Sequence, residues 1–210
     1  SAGEPMPAYA DRLPSPGRLS ATDESSESLV LNPANLAKLP SWEARVSGAL
    51  CHDAPTRTNC GVAAGFATSL PFGLAAGLRF DTLLPPSTLA FPFGNANYHW
   101  MTFGLAYRVS NRLSLGASYQ WSYSARSILD GLSGVTLGMT YTPNPYLAFS
   151  LVGNDLNRPS LLKTPGGTAI LDSSVTGGIG FRPRGRRSFE LGVDARYFTD
   201  SDLVVPRFSV

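Results

Sequence analysis

In the stretch RLSLGASYQWSYS, residues 112–124, Leu113, Leu115, Ala117, Tyr119, Trp121 and Tyr123 alternate with Ser114, Gly116, Ser118, Gln120 and Ser122. A period of two marks a β-strand, whose successive side chains point to opposite faces of the pleat. One face here is large and aromatic, the other small and polar. The stretch is also long for an ordinary strand, so each face must meet its own environment over a long span.

The same alternation recurs from Trp42 to Leu50, Val62 to Leu70, Leu74 to Phe80, Met101 to Val109, Val135 to Tyr141, Leu147 to Leu151, Val175 to Phe181 and Phe189 to Tyr197. This predicts about nine strands of roughly ten residues, the length a tilted membrane-crossing strand needs. Short connections (LPFG 70–73, SNR 110–112, TPNP 142–145, RPRGRR 182–187) alternate with long polar ones (51–60, 84–97, 125–131, 153–173). Short turns at one end and long loops at the other are the layout of a bacterial outer-membrane barrel, with periplasmic turns and extracellular loops. A soluble sandwich or lipocalin-like barrel would carry Lys and Glu on its polar face. Here that face is Gly, Ser, Thr and Ala with sparse charges, and only 15% of the 210 residues are charged, against about a quarter in soluble domains. No apolar run reaches the roughly 18 residues of a transmembrane helix.

The reading is therefore all-β: an antiparallel transmembrane β-barrel in the bacterial outer membrane, its aromatic face against outer-membrane lipid and its small polar face against a lumen. LVVPRFSV (203–210) begins a further strand. Bacterial single-chain barrels have even strand numbers, and an unpaired edge in lipid is costly. Residues 41–210 are thus expected to be the N-terminal part of a larger barrel, incomplete at the C-terminal end and completed by a further segment or further protein chains.

Residues 1–40 break the pattern and form a polar, Pro-rich leader and plug. SAGEPMPAYA reads as a mature N-terminus left by a removed signal peptide. Thr22 or Asp23, followed by Glu24 and Glu27, predicts a capped helical turn through Leu29, Val30 and Leu31. Asn32-Pro33 should stop it, since the residue before proline avoids the helical region. In TDESSESLVLNPANLAKLP (22–40) an acidic-Ser run, a few apolar residues and Asn-Pro-Ala-x-Leu stand just before the first strand, at Asp23, Ser25, Ser26, Asn32, Pro33, Ala34 and Leu36. This resembles the N-terminal signature of the long-chain fatty-acid transporter family of outer-membrane proteins. The resemblance implies a hatch within the barrel and transport of hydrophobic small molecules, with a hydrophobic ligand as partner. Residues 105–159 loosely resemble barrel regions attached to bacterial signal-peptide peptidases, which implies instead an anchoring barrel that docks a partner protein or carries an enzyme domain beyond residue 210.

The candidate residues follow from strand parity. Arg45, Arg79, Asp81, Arg108, Glu190, Asp194 and Arg196, with Glu43 and Arg182, fall on the small-residue face. They read either as cross-strand pairs in a packed interior or as a ligand path and anchor for the plug residues Asp23, Glu27, Asn32 and Pro33. Cys51 and Cys60 flank one loop, which in an exported protein implies a disulfide. Cys51, His52 and Cys60 lack the four ligands of a closed zinc site, so no metal is expected. His99, between Tyr98 and Trp100, suits an interfacial aromatic girdle. Neither a Gly-x-Ser-x-Gly elbow nor a phosphate-binding loop occurs, so no enzyme activity and no cofactor are expected. A net charge of +2 without a basic patch indicates no nucleic-acid partner.

Overall fold

The computed structural model describes residues 19–49, 60–84, 98–124, 130–157, 173–183, 190–199 and 202–209. Among them, ten strands form one antiparallel sheet: β1 (Trp42–Ala49), β2 (Cys60–Ser69), β3 (Leu74–Leu84), β4 (Tyr98–Arg108), β5 (Leu113–Ser124), β6 (Ser133–Asn144), β7 (Leu147–Asn154), β8 (Ser174–Phe181), β9 (Leu191–Phe198) and β10 (Leu203–Ser209). Spatial order equals chain order, each strand pairing with the one before and after it. The nine periodic segments each become a strand, and residues 203–209 add a tenth. The sheet is open: β1 is paired with β2 alone and β10 with β9 alone.

The short connections are tight for identifiable reasons. Between β2 and β3, Phe72 and Gly73 both take positive φ, 62° and 76°, so the chain reverses within Pro71–Gly73. Between β4 and β5, the Ser110 hydroxyl accepts the amides of Arg112 and Leu113. The TPNP turn lies two residues further on than its letters suggest. β6 runs through Asn144 after a register shift, and the Asn144 Oδ1 accepts the amides of Tyr146 and Leu147. Such side-chain mimicry of a backbone turn is what Asn and Ser supply at loop tips.

The alternation divides the sheet cleanly. On one face Phe66, Leu78, Phe103, Leu105, Tyr119, Leu137 and Ile179 are exposed. On the other, Ala67, Ala75, Arg79, Thr102, Ser118, Thr140 and Asp194 are buried. What buries them is the chain's own residues 19–39. This segment holds one helical turn, α1 (Ser28–Leu31), and a 3-10 turn (Pro33–Lys38). Leu29, Leu36 and Leu39 pack with Ala67, Ala75 and Ala106 of the sheet in a small apolar core. Of the apolar run, Leu29 alone is fully buried, and Leu36 of the Asn-Pro-Ala-x-Leu motif supplies the second anchor.

The segment also measures the curvature of the sheet. Ser20 bonds to Asp194 of β9 and Ser26 bonds to Glu43 of β1. Six peptide steps between Ser20 and Ser26 span at most about 22 Å. In a flat sheet, the eight strand spacings between β1 and β9 would cover about 38 Å. The sheet is therefore curled around the segment, with the polar face concave and the apolar face convex.

Candidate functional site: the segment-filled concave face

The local structure of the segment is set by its asparagines. The expected cap at Thr22 or Asp23 does not form. Glu27 occupies the N-cap of α1 without a side-chain bond, and Asp23 instead accepts from the Ser25 hydroxyl at 2.8 Å. Asn32 ends the helix with extended backbone (φ −161°, ψ 99°), as a residue before proline should. Its Oδ1 then accepts the Ala34 amide and caps the 3-10 turn, where Pro33 fills a first-turn position needing no N–H.

Asn32 and Asn35, both fully buried, tie the segment to itself and to the sheet. Both side-chain amides donate to the Ser20 carbonyl, at 2.9 and 2.7 Å. Asn32 also donates to the Thr140 hydroxyl (2.8 Å), which donates on to the Asn35 Oδ1 (2.7 Å). Such a network in a dry interior keeps each polar group satisfied and fixes one arrangement. Asn35 and Thr140 were not among the residues that the sequence singled out.

The segment lies directly against glycines, with its backbone on Gly116 and its side chains on Gly104 and Gly138. A Cβ on Gly116 would come within 2.3 Å of the Ala34 nitrogen and the Pro33 carbonyl carbon. One on Gly138 would sit 2.1 Å from the Asn32 Oδ1, and one on Gly104 would sit 2.5 Å from Leu29. Because Gly116 is in register with Gly138, and Gly104 with Gly77, these positions form a track across β3 to β6. The small residues of the concave face are thus a seat for the segment, a role that strand parity alone does not distinguish from a pore wall.

The inward charges gather in three groups. In the first, Arg79 (1% exposed) bonds both oxygens of Asp81 through Nε at 3.0 Å and also bonds Glu27 through Nη1. Arg45 stands 3.8 Å from the other oxygen of Glu27, which the Ser47 hydroxyl also reaches at 3.4 Å. Two cations and two carboxylates balance there, as burial demands. In the second, Arg182 binds Glu190 at 2.7 Å, Glu24 at 3.1 Å and the Thr22 carbonyl at 3.1 Å, tying the segment to the β8–β9 end. In the third, Asp194 accepts the Ser20 amide (2.7 Å) and hydroxyl (3.0 Å), and the same hydroxyl meets that of Ser150 at 2.6 Å. Asp194 is also in register with Arg207 of β10.

Three of the predicted inward residues lie apart from these groups, and of these Glu43 accepts the Ser26 amide and hydroxyl. Arg108 is solvent-exposed and donates to the Ala37 carbonyl at the end of the 3-10 turn. Arg196 bonds the Ser174 hydroxyl at 2.7 Å and covers the Phe198 ring at 4.6 Å. His99 stacks on Phe80 at 5.7 Å and meets the Thr82 hydroxyl. Cys60 opens β2, but Cys51 and His52 lie outside the described residues, and with them the proposed disulfide. Among the described residues no group of three or more His, Cys, Asp or Glu side chains could hold a metal ion. No described helix is long and apolar enough to cross a membrane.

No protein-family model matches this chain, and no curated protein matches it in sequence.

Proposed function

We propose that this chain is a transmembrane β-barrel protein of a bacterial outer membrane, whose interior is closed by residues 19–39 and which passes hydrophobic small molecules when that segment shifts. One observation carries the reading: the sheet is inside out by the standards of a soluble protein. Its convex face exposes large side chains on every strand, from Trp42 (67%) and Val46 (74%) to Phe208 (74%), while the buried face is polar. Soluble monomers rarely expose contiguous apolar patches above a few hundred Å². Against lipid tails the same face is well placed, and the buried charges Arg79, Asp81 and Asp194 are paired or hydrogen-bonded inside. The segment's likeness to the leader of long-chain fatty-acid transporters supports a hatch role.

The unpaired edges of β1 and β10 favour a companion reading, in which further strands or further protein chains complete the wall. An open edge in lipid leaves backbone groups unsatisfied at several kcal/mol each. Both readings share the plug, and deleting residues 20–39 tests it. Conductance in planar bilayers should rise, and uptake of an apolar fluorescent probe by cells should lose its dependence on the segment. Unchanged conductance and uptake, with the protein still assembled in the membrane, would leave an anchoring role alone.

A further inference from the structure

At the short-turn end of the concave face a cavity of about 480 Å³ opens between the β4–β5 and β6–β7 turns. That is within the size range of small-molecule sites. Lys38, Arg108, Arg112 and Arg182 contribute cations to its lining, and Glu24 is its one lining carboxylate. Arg182 is already neutralised by Glu24 and Glu190. Among the described residues Arg108 donates only to a neutral carbonyl, and Arg112 is bonded through its backbone alone. Among the described residues, two guanidinium charges are thus left without a carboxylate at one cavity.

A second, independent feature marks the same place. Ser114 also lines the cavity; it is 2% exposed, and its hydroxyl has no hydrogen-bond partner. Its register neighbours are Arg108 and Thr140, and the Thr140 hydroxyl proton is already given to Asn35. A buried hydroxyl without a partner is rare in native proteins and calls for an explanation. Pro143, Pro145 and Leu147 form an apolar wall beside it.

We infer that this cavity binds a phosphoryl group, held by Arg108 and Arg112 with the Ser114 hydroxyl completing its hydrogen bonds and the proline wall receiving the attached organic portion. Guanidinium groups match phosphate oxygens in charge and in planar, bidentate geometry. A phosphate monoester carries close to two negative charges at neutral pH, which equals the pair of uncompensated arginines. The group could belong to a soluble organic phosphate or to a lipid headgroup, and the chemistry at the arginines is the same. The site does not depend on what the barrel transports, because it opens at the short-turn end, where Glu24 and Lys38 of the segment meet the β4–β5 and β6–β7 turns.

The test uses the full chain in detergent micelles with radiolabelled orthophosphate in equilibrium dialysis, and the chain in nanodiscs containing either phosphatidate or phosphatidylcholine alone. Saturable orthophosphate binding, weakened about tenfold or more by Arg108→Gln and by Arg112→Gln, supports a soluble source. Phosphatidate retained at one per chain, and lost in the same variants, supports a lipid source. Arg112→Gln should leave folding intact, since among the described residues only the backbone of Arg112 is hydrogen-bonded, and an unchanged unfolding temperature in that variant ties the lost binding to the guanidinium itself. Ser114→Ala separates binding from architecture: it should weaken binding several-fold while raising the unfolding temperature, since it removes a buried, unpartnered hydroxyl. Absence of binding to either probe, or binding indifferent to all three substitutions, would overturn the site.

Discussion

Adding one methyl group at Gly116 should expel the segment from its seat. An alanine Cβ there would lie 2.3 Å from the Ala34 nitrogen and the Pro33 carbonyl carbon and 2.6 Å from the Pro33 oxygen. These are backbone atoms in the middle of a tied network, so no flexible side chain can swing away. Relief requires moving the Asn32–Asn35 stretch, which breaks the bonds from Asn32 to Thr140 and from Thr140 to Asn35. Two buried neutral hydrogen bonds contribute about 1 kcal/mol each. The overpacking itself costs about 1–3 kcal/mol. The sum, roughly 3–5 kcal/mol, corresponds to an increase of about a hundredfold to a few thousandfold in the undocked population. Hydrogen exchange followed by mass spectrometry in detergent micelles reads this directly. The amides of Asn32, Asn35 and Leu39, bonded within the segment at 2.9, 3.1 and 3.0 Å, should lose their protection. Gly177→Ala is the matched control, because a Cβ on that β8 glycine meets nothing within 4 Å. It should leave the segment protected and the sheet unchanged or slightly more stable. Equal protection in Gly116→Ala and Gly177→Ala would refute the claim that the glycine track is a seat.

Leu137→Arg, on the exposed convex face (50% exposed), should impair insertion into liposomes by about 2–4 kcal/mol if placed near the bilayer midplane; insertion at the normal yield would count against a lipid-facing wall. Glu27→Gln leaves Arg79 buried with Asp81 as its only carboxylate, so the denaturation midpoint should fall by the equivalent of about 3–5 kcal/mol, and an unchanged midpoint would mean that the first charge cluster is not closed to water. Arg182→Gln removes the ion pair to Glu24 and the bond to the Thr22 carbonyl, and it should raise proteolysis near residues 22–24 while leaving the Asn32 amide protected; uniform loss of protection would show the segment to be one cooperative unit instead.

Alternation made the strands legible because side-chain parity follows from backbone geometry alone. Val175, Ile179 and Phe181 stand on the exposed side of β8, just where their period places them. What parity cannot report is what covers a face. Gly104, Gly116 and Gly138 read as small lumen residues, and only the course of residues 19–39 shows that the segment lies on them, its backbone on Gly116 and its side chains on the other two. The same gap explains the charges. Arg79, Arg45 and Glu27 were assignable to opposite partners by sign, but the pairing of Glu24 with Arg182 rather than Arg108 or Arg196 depends on where the curled sheet brings β8 against the segment. Asn35 gave no signal, since one buried amide clamp looks like any loop asparagine until Ser20 and Thr140 are seen beside it.

The central claim is that the convex face meets lipid while the concave face is filled by the chain itself, and the protein's three tryptophans sample both. Trp42 and Trp121 stand on the convex face, Trp121 between the rings of Tyr119 and Tyr123 at 5.7 and 6.4 Å, whereas Trp100 is 1% exposed on the concave face. Three single-tryptophan variants, with the other two replaced by phenylalanine, should be reconstituted in liposomes of lipids brominated along the acyl chain, a contact quencher of indole fluorescence. Trp121 and Trp42 should be strongly quenched and Trp100 little. Equal quenching of all three, or none at Trp121 and Trp42, would contradict the central claim.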